Sequence, residues 1–235
     1  MTKLFHHLKH SKIDSLSDGI FSIALTLLGL DLIGAVKHIS ESEDFNTGLL
    51  EEWPLLFAFF MGFFVLFGVW YEYHANSQHV TGTNTLVIWQ HCFILLFAIL
   101  IPFGAALLGE NINSPNMAWA VFYFGVIMFG DKPISLLFVL AQRRASRGNA
   151  EILAPAAPFS AEAWLRTAAV YFIASTAYGI LATSIALVNP WLALGLYLLY
   201  LVSKINPVGL LNGSAGMLTK AAKVDGELSK LRDGN

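Results

Sequence analysis

Charged side chains are scarce in this sequence. Asp, Glu, Lys and Arg make up 13% of its 235 residues, whereas hydrophobic residues make up 56%. A soluble domain contains about 25% charged residues, which supply the polar surface that it needs in water. The positive mean hydropathy of +0.61 points the same way. The composition therefore excludes a soluble domain, a disordered chain and a coiled coil, and it indicates an integral membrane protein.

Cysteine is almost missing as well, and the sequence has no excess of basic charge. Cys92 is the single cysteine, which excludes an intrachain disulfide and a C-x-x-C metal or redox site. The net charge of −2 offers no basic surface for nucleic acid. His6 and His10 are one helical turn apart, but short N-terminal histidine tracts usually bind nothing, so we predict neither a metal nor a cofactor. No Ser-His-Asp, Cys-His or paired-carboxylate arrangement has supporting context, so we do not expect an enzyme.

Long apolar runs dominate what is present. A transmembrane helix needs about 20 apolar residues to cross about 30 Å of hydrocarbon. The predicted spans are residues 16–36, 53–73, 85–108, 117–141, 163–188 and the shorter 191–202. We therefore predict an all-α integral membrane protein with six transmembrane helices. Its transmembrane domain covers residues 1–204, and a tail with a short amphipathic helix covers residues 205–235.

The distribution of Lys and Arg predicts the orientation of the chain. With six spans, both ends lie on one side of the membrane. That side collects the N-terminal lysines, a cluster around Arg143 and the five basic residues assigned to the tail, of which Lys204 is the first, whereas the opposite loops offer only Lys37. We therefore expect a multi-pass cell-membrane protein with cytoplasmic N- and C-termini.

Two acids lie within the first span. Asp18 and Asp31 are 13 residues apart, which is about 20 Å along a helix and places them near opposite faces of the membrane. Acids at membrane depth are costly and often functional. Two interpretations are open. The acids flank a cation pathway, or Asp18 caps the helix N-terminus and Asp31 simply ends the span.

The periodicity of the first span predicts two stripes along a helix. One stripe is polar, and the other is mostly apolar with one hydroxyl. The polar stripe contains Ser15, Asp18 and Ser22, and the second contains Ile23, Thr26, Leu27 and Leu30.

The first span also resembles a known family. Lys12, Leu16, Ser17 and Asp18 form K-x-x-x-L-S-D, followed by G-I-F-S-I-A-L-T-L-L-G-L-D-L. This segment is similar to the first helix of the transmembrane protein 175 family of potassium channels, whose signature is R-x-x-x-F-S-D. Lysine and leucine replace the arginine and the phenylalanine here.

The resemblance continues into the second and third spans. His74 follows the aromatic end of the second span, and the third runs from Trp89-Gln-His to Ile-Pro-Phe. The family usually has W-x-N where this chain has His91 as the third residue. Spans four to six agree with the family only in number and hydropathy.

The resemblance implies a potassium-selective channel that assembles as a homotetramer in the lipid bilayer, with potassium as the permeant ion and the first helix lining the pore. It places an apolar constriction at Ile23, with Thr26 and Leu30 one and two turns outward. Asp31 then lies at the outer mouth. The chain contains no T-V-G-Y-G segment for a carbonyl filter, and an apolar ring gates by dewetting. The signature and bracing residues are Lys12, Leu16, Ser17, Asp18, His74 and Trp89.

Several roles stay open at this point. Asp18 either contacts ions or braces helices through Lys12, His74 or Trp89. An alternative function is a proton-coupled or cation-exchanging transporter with a relay through acidic and histidine side chains, namely Asp18, His74 and His91. Asp131 and Lys132 either pair with each other or mark a kink at Pro133.

Overall fold

The structure is a computed structural model, and it describes residues 10–42, 44–77, 85–146 and 161–205. The regular secondary structure of these residues is entirely helical. The helices are α1 (His10–Glu41), α2 (Phe45–Glu51), α3 (Trp53–Ser77), α4 (Thr85–Asn111), α5 (Met117–Phe129), α6 (Asp131–Ser146), α7 (Ala161–Ala186) and α8 (Pro190–Ile205). The predicted tail helix, the N-terminal histidines His6 and His7, and most of the polar linker lie outside the described residues.

The described helices include five segments that are long and apolar enough to cross a membrane. They are Lys12–Glu41, Trp53–His74, Ile88–Asn111, Met117–Ala141 and Ala163–Ala186. The sixth predicted span corresponds to the shorter apolar helix Pro190–Lys204. The predicted all-α membrane fold is therefore confirmed, with a sixth helix that is shorter than the others.

Most of the region between the first two predicted spans is helical. α1 continues to Glu41, and α2 forms within the remaining segment. The Asp44 carboxylate accepts hydrogen bonds from the Thr47 amide at 2.9 Å and the Thr47 hydroxyl at 2.8 Å, which caps the N-terminus of α2. These bonds lower the pKa of Asp44. The acidic composition of the segment concealed this short capped helix.

The fourth span is broken at Gly130. α5 ends at Phe129 and α6 begins at Asp131, so the predicted interruption is confirmed one residue before the Asp-Lys-Pro sequence. A side chain at Gly130 would collide with the ring of Phe97 on α4, which explains the glycine. Pro133 lies in the first turn of α6, where proline is tolerated because the amide there lacks an intrahelical partner anyway.

The core is formed by α1, α3, α4, α5, α7 and α8. α1 packs mainly against α3 and α4, and α5 packs against α4, α7 and α8. Phe21 of α1, Leu66 of α3 and Phe124 of α5 are among the most buried side chains. A smaller apolar cluster around Val139 and Leu165 joins α6 to α7. This arrangement leaves one long face of α1 outside the core.

Candidate functional site

α1 has one buried face and one open face. Small and apolar side chains at steps of three and four residues pack inward, and they are almost fully buried. They are Ser17, Phe21, Ala24 and Leu28. The spacing matches the helical repeat, so these residues form one stripe against α3 and α4. The stripe fixes which side of α1 faces away from the chain's own core.

The open face carries the residues predicted to line a pore. Ile23 is 61% exposed and Leu30 is 57% exposed, and Thr26 between them is also exposed. Leu16 lies on the same side and is 60% exposed. The structure therefore brings Ile23, Thr26 and Leu30 together on one surface, which lipid or a second subunit must cover in a membrane.

The Thr26 hydroxyl donates a hydrogen bond to the Ile23 carbonyl oxygen at 2.7 Å. A hydroxyl has one proton and two acceptor lone pairs. Because the proton is used within the helix, the oxygen keeps acceptor capacity on the open face. Such an oxygen can replace a water molecule around a cation.

Asp18 is held by α3. The indole nitrogen of Trp70 donates to Asp18 Oδ1 at 3.0 Å, and the Trp70 ring stacks on His74 with centroids 5.4 Å apart. The capping interpretation of Asp18 is wrong, because α1 already begins at His10. Bracing of Asp18 is therefore observed, but its donor is Trp70, and His74 supports that donor.

The other predicted signature residues differ in how far they are buried in the chain. Lys12 and Leu16 are exposed, and Trp89 is 51% exposed and packs near Phe93 of its own helix. Ser17 is fully buried, and its hydroxyl donates to the Ile13 carbonyl at 2.8 Å. Of the signature, Ser17 is thus buried in the chain's own core, and Asp18 is hydrogen-bonded to another helix.

A second tie between α1 and α3 was not anticipated. The Tyr73 hydroxyl donates to Asp14 Oδ1 at 2.7 Å, and the Tyr73 ring meets His91 of α4 edge-on at 5.0 Å. Asp14 lies four residues before Asp18, so the two acids share one side of α1. That spacing was the signal in the sequence that could have identified Asp14.

Asp31 lies in the C-terminal half of α1 and is half-buried. It is close enough to Glu110 of α4 for the two charges to interact. Asp31 follows Ile23 by eight residues, which places it about 80° around the helix from the open face. The pair of acids creates a local negative charge beside the predicted outer mouth rather than directly on its wall.

A buried cluster of four charges lies among α3, α6 and α8, and we call it the charge cluster. It consists of Glu72, Asp131, Lys132 and Lys204. The Lys132 ammonium is 2.9 Å from both Glu72 Oε2 and Asp131 Oδ2. The Lys204 ammonium binds the other oxygen of Glu72, which also accepts a hydrogen bond from the Tyr171 hydroxyl at 2.5 Å.

The charge cluster confirms one prediction and corrects another. Asp131 and Lys132 do pair with each other, at the break in the fourth span. Lys204 was assigned to the basic tail, but it lies in α8 and binds Glu72 inside the helix bundle. Glu72 was missed. An acid within the aromatic run Trp-Tyr-Glu-Tyr of an apolar span was the signal for it.

Within the described part of the chain, no three His, Cys, Asp or Glu residues are arranged to hold a metal ion. The histidine tract that was considered as a metal ligand lies mostly outside that part.

Comparison with known proteins finds a family similarity in the first three spans. Residues 12–102 match the family described as the endosomal/lysosomal potassium channel TMEM175. This segment is therefore similar to the TMEM175 family. The resemblance predicted from Lys12, Ser17, Asp18 and the run that follows them is thereby confirmed.

Two curated relatives are named as potassium channels. One from Chamaesiphon minutus is 30% identical over 118 residues, which are 50% of this chain and 58% of the relative. One from Streptomyces collinus is 26% identical over 103 residues, which are 44% of this chain and 49% of the relative. The matched region thus spans about half the length of these relatives.

Structural similarity to a solved protein extends over more of the chain than the sequence similarity does. The crystal structure of a protein described as a lysosomal potassium-selective channel TMEM175 homolog from Chamaesiphon minutus aligns with a TM-score of 0.66. The alignment covers 83% of this chain and 96% of that chain at 18% identity. The TMEM175 match, by comparison, ends at residue 102.

Proposed function

We propose that this protein is a potassium-selective channel in the cell membrane. Four copies assemble around a central pore that α1 lines, with both termini in the cytoplasm. The observation that carries the proposal is the open face of α1, where Ile23, Thr26 and Leu30 share one surface opposite a fully buried stripe. The TMEM175 segment and the channel names of the two relatives support the choice of potassium.

The constriction follows from four-fold symmetry. Four Ile23 side chains around one axis form an apolar ring, which closes to ions when water leaves it. Four Thr26 hydroxyls one turn outward offer oxygens to an ion that has shed part of its hydration. Potassium sheds water at lower cost than sodium, so a ring that demands dehydration favours potassium.

The acids of α1 serve different roles in this proposal. Asp31 and Glu110, repeated in each subunit, concentrate cations at the outer mouth, since clustered carboxylates raise the local cation population. Asp18 is a bracing residue, because Trp70 already occupies one of its oxygens. Ser17, His74, Trp89 and the exposed Lys12 and Leu16 position α1 within and between subunits.

The test is recording from purified protein in a planar bilayer with potassium on one side and sodium on the other. We expect unitary openings and a reversal potential shifted toward potassium equilibrium. Ile23→Ala widens the ring, so we expect larger conductance and weaker selectivity. Ile180→Ala is the matched control, because Ile180 of α7 is 64% exposed but lies outside α1. If Ile23→Ala and Ile180→Ala had the same conductance and selectivity, Ile23 would not form the constriction.

A transporter is the second candidate, and the charge cluster favours it. Ionisable groups at membrane depth often form proton relays. Contacts in the structure also support the relay proposed from the sequence. Trp70 donates a hydrogen bond to Asp18 and stacks on His74, and the Tyr73 ring contacts His91. A coupled transporter gives slow, saturable flux that a pH gradient drives, without unitary openings. The same recordings, repeated with a pH gradient, separate the two functions.

A further inference from the structure

Burial of the charge cluster costs free energy. Lys132 and Asp131 are almost fully buried, and Glu72 and Lys204 are largely buried. Removing charges from water carries a large penalty, and a buried ion pair is often no more stabilising than apolar side chains of the same size. The ion pairs instead hold their side chains, and the helices that carry them, in a defined geometry. The cluster therefore calls for an explanation in terms of position rather than net stability.

Glu72 is the hub of the charge cluster. Its oxygen Oε2 binds Lys132 of α6, and its oxygen Oε1 binds Lys204 of α8 and Tyr171 of α7. The Lys204 ammonium also lies 4.2 Å from the centre of the Tyr171 ring. The Glu72 carboxylate of α3 thus binds side chains from three other helices.

The same part of α3 holds the pore-lining helix. Trp70 donates to Asp18 and Tyr73 donates to Asp14, and both acids belong to α1. Glu72 lies between these two donors in sequence. Since α1 packs mainly on α3 and α4, this turn of α3 is a direct connection between α1 and the group of α6, α7 and α8.

We propose that Glu72 is a positioning residue that couples α6, α7 and α8 to the pore-lining helix. When the three helices hold Glu72, the end of α3 is fixed, and Trp70 and Tyr73 fix α1. A shift of α6 or α8 moves this turn and carries α1 with it. Ile23 follows Asp18 by five residues, about 7.5 Å along the axis, so the movement reaches the constriction. This inference rests on the proposed channel function.

The first test uses two tyrosines of α7. Tyr171→Phe removes the hydroxyl that binds Glu72 and keeps the ring beside Lys204. Tyr178→Phe is the matched control, because the Tyr178 hydroxyl donates to the Leu196 carbonyl of α8 at 2.7 Å and so joins α7 to a neighbouring helix without Glu72. We expect Tyr171→Phe and Glu72→Gln to change the ratio of open to closed times by about two- to thirtyfold.

In these recordings we expect the unitary conductance and the reversal potential to stay at wild-type values, because the ring itself is intact. Tyr178→Phe is expected to keep the wild-type ratio of open to closed times. Wild-type gating in both Tyr171→Phe and Glu72→Gln overturns the inference. Equal changes in Tyr171→Phe and Tyr178→Phe also overturn it, because they show general loosening of α7.

The second test needs no current. Cys92, which is exposed, is replaced by serine, and Ile23→Cys then provides a single thiol at the constriction. We expect Glu72→Gln to change the rate at which a methanethiosulfonate reagent modifies this thiol, and Tyr178→Phe to leave the rate unchanged. An equal rate with and without Glu72→Gln overturns the inference. Absence of wild-type potassium current overturns the channel proposal instead, so the two failures are distinguishable.

Discussion

Removal of Lys132 is the sharpest test of the charge cluster as a structural element. In Lys132→Met, the carboxylates of Asp131 and Glu72 both lose an ammonium at 2.9 Å. Glu72 keeps its contacts with Lys204 and Tyr171. Asp131 keeps only the longer-range attraction of Lys204, and its side chain is only 6% exposed. Removing one partner of a buried pair costs about 3–5 kcal/mol, because the other charge stays buried without compensation. We therefore expect a loss of this size in the free energy of unfolding.

The charge balance of the cluster predicts a rescue. The four groups carry two negative and two positive charges, so Lys132→Met leaves a net charge of −1. Adding Asp131→Asn restores neutrality with a side chain of nearly the same shape. We expect the double variant to regain most of the lost free energy, since the uncompensated charge is the main cost.

The assay is reversible unfolding in detergent micelles, followed by tryptophan fluorescence. Lys37→Met is the control, because the ammonium of Lys37 lies 3.8 Å from Glu41 with both side chains highly exposed. An exposed pair of this kind contributes about 0–1 kcal/mol. A loss below about 1 kcal/mol in Lys132→Met, or a double variant no more stable than the single one, would refute the reasoning.

Three further predictions concern other parts of the chain. Tyr73→Phe removes a hydrogen bond to the Asp14 carboxylate, and we expect unfolding experiments to show a loss of about 1.5 kcal/mol, the lower end for a charged acceptor, because Asp14 is half-buried. Thr26→Val keeps the shape but not the hydroxyl, so we expect reversal potentials that discriminate less between potassium and sodium. Hydrogen bonds from Thr47 lower the pKa of Asp44, so its capping contribution is complete above the unfolded value of about 3.9 and disappears as the pH falls through the lower folded value; NMR titration of the Asp44 carboxylate measures the shift.

Local periodicity was enough to predict the two faces of α1. The repeat of 3.6 residues places Ile23, Thr26 and Leu30 together regardless of the rest of the fold. The break before Asp131 was also predictable, because adjacent charges and a proline interrupt an apolar run. These features depend on residues that are near one another in the sequence.

The partners of Asp18 and Glu72 were not predictable in this way. Trp70 is 52 residues from Asp18, and Lys204 is 132 residues from Glu72. Which of several aromatic or charged side chains reaches a given acid depends on the rotation of each packed helix. Lys204 was assigned to the tail because the apolar run appeared to end at Val202, whereas α8 continues to Ile205.

The break at Gly130 and the charge cluster bear on how the protein enters the bilayer during synthesis. A lysine and an aspartate at the centre of an isolated span each raise the insertion free energy by about 2.5–3.5 kcal/mol. Pairing of Lys132 with Asp131 offsets part of that cost. Glu72 is inserted earlier, with α3, and gains its first cationic partner only when α6 arrives. Its second partner, Lys204, comes with the last described helix. Assembly of the bundle is therefore complete only when α8 has docked. The apolar length of α8 is short, and the ion pair between its Lys204 and Glu72 offsets this.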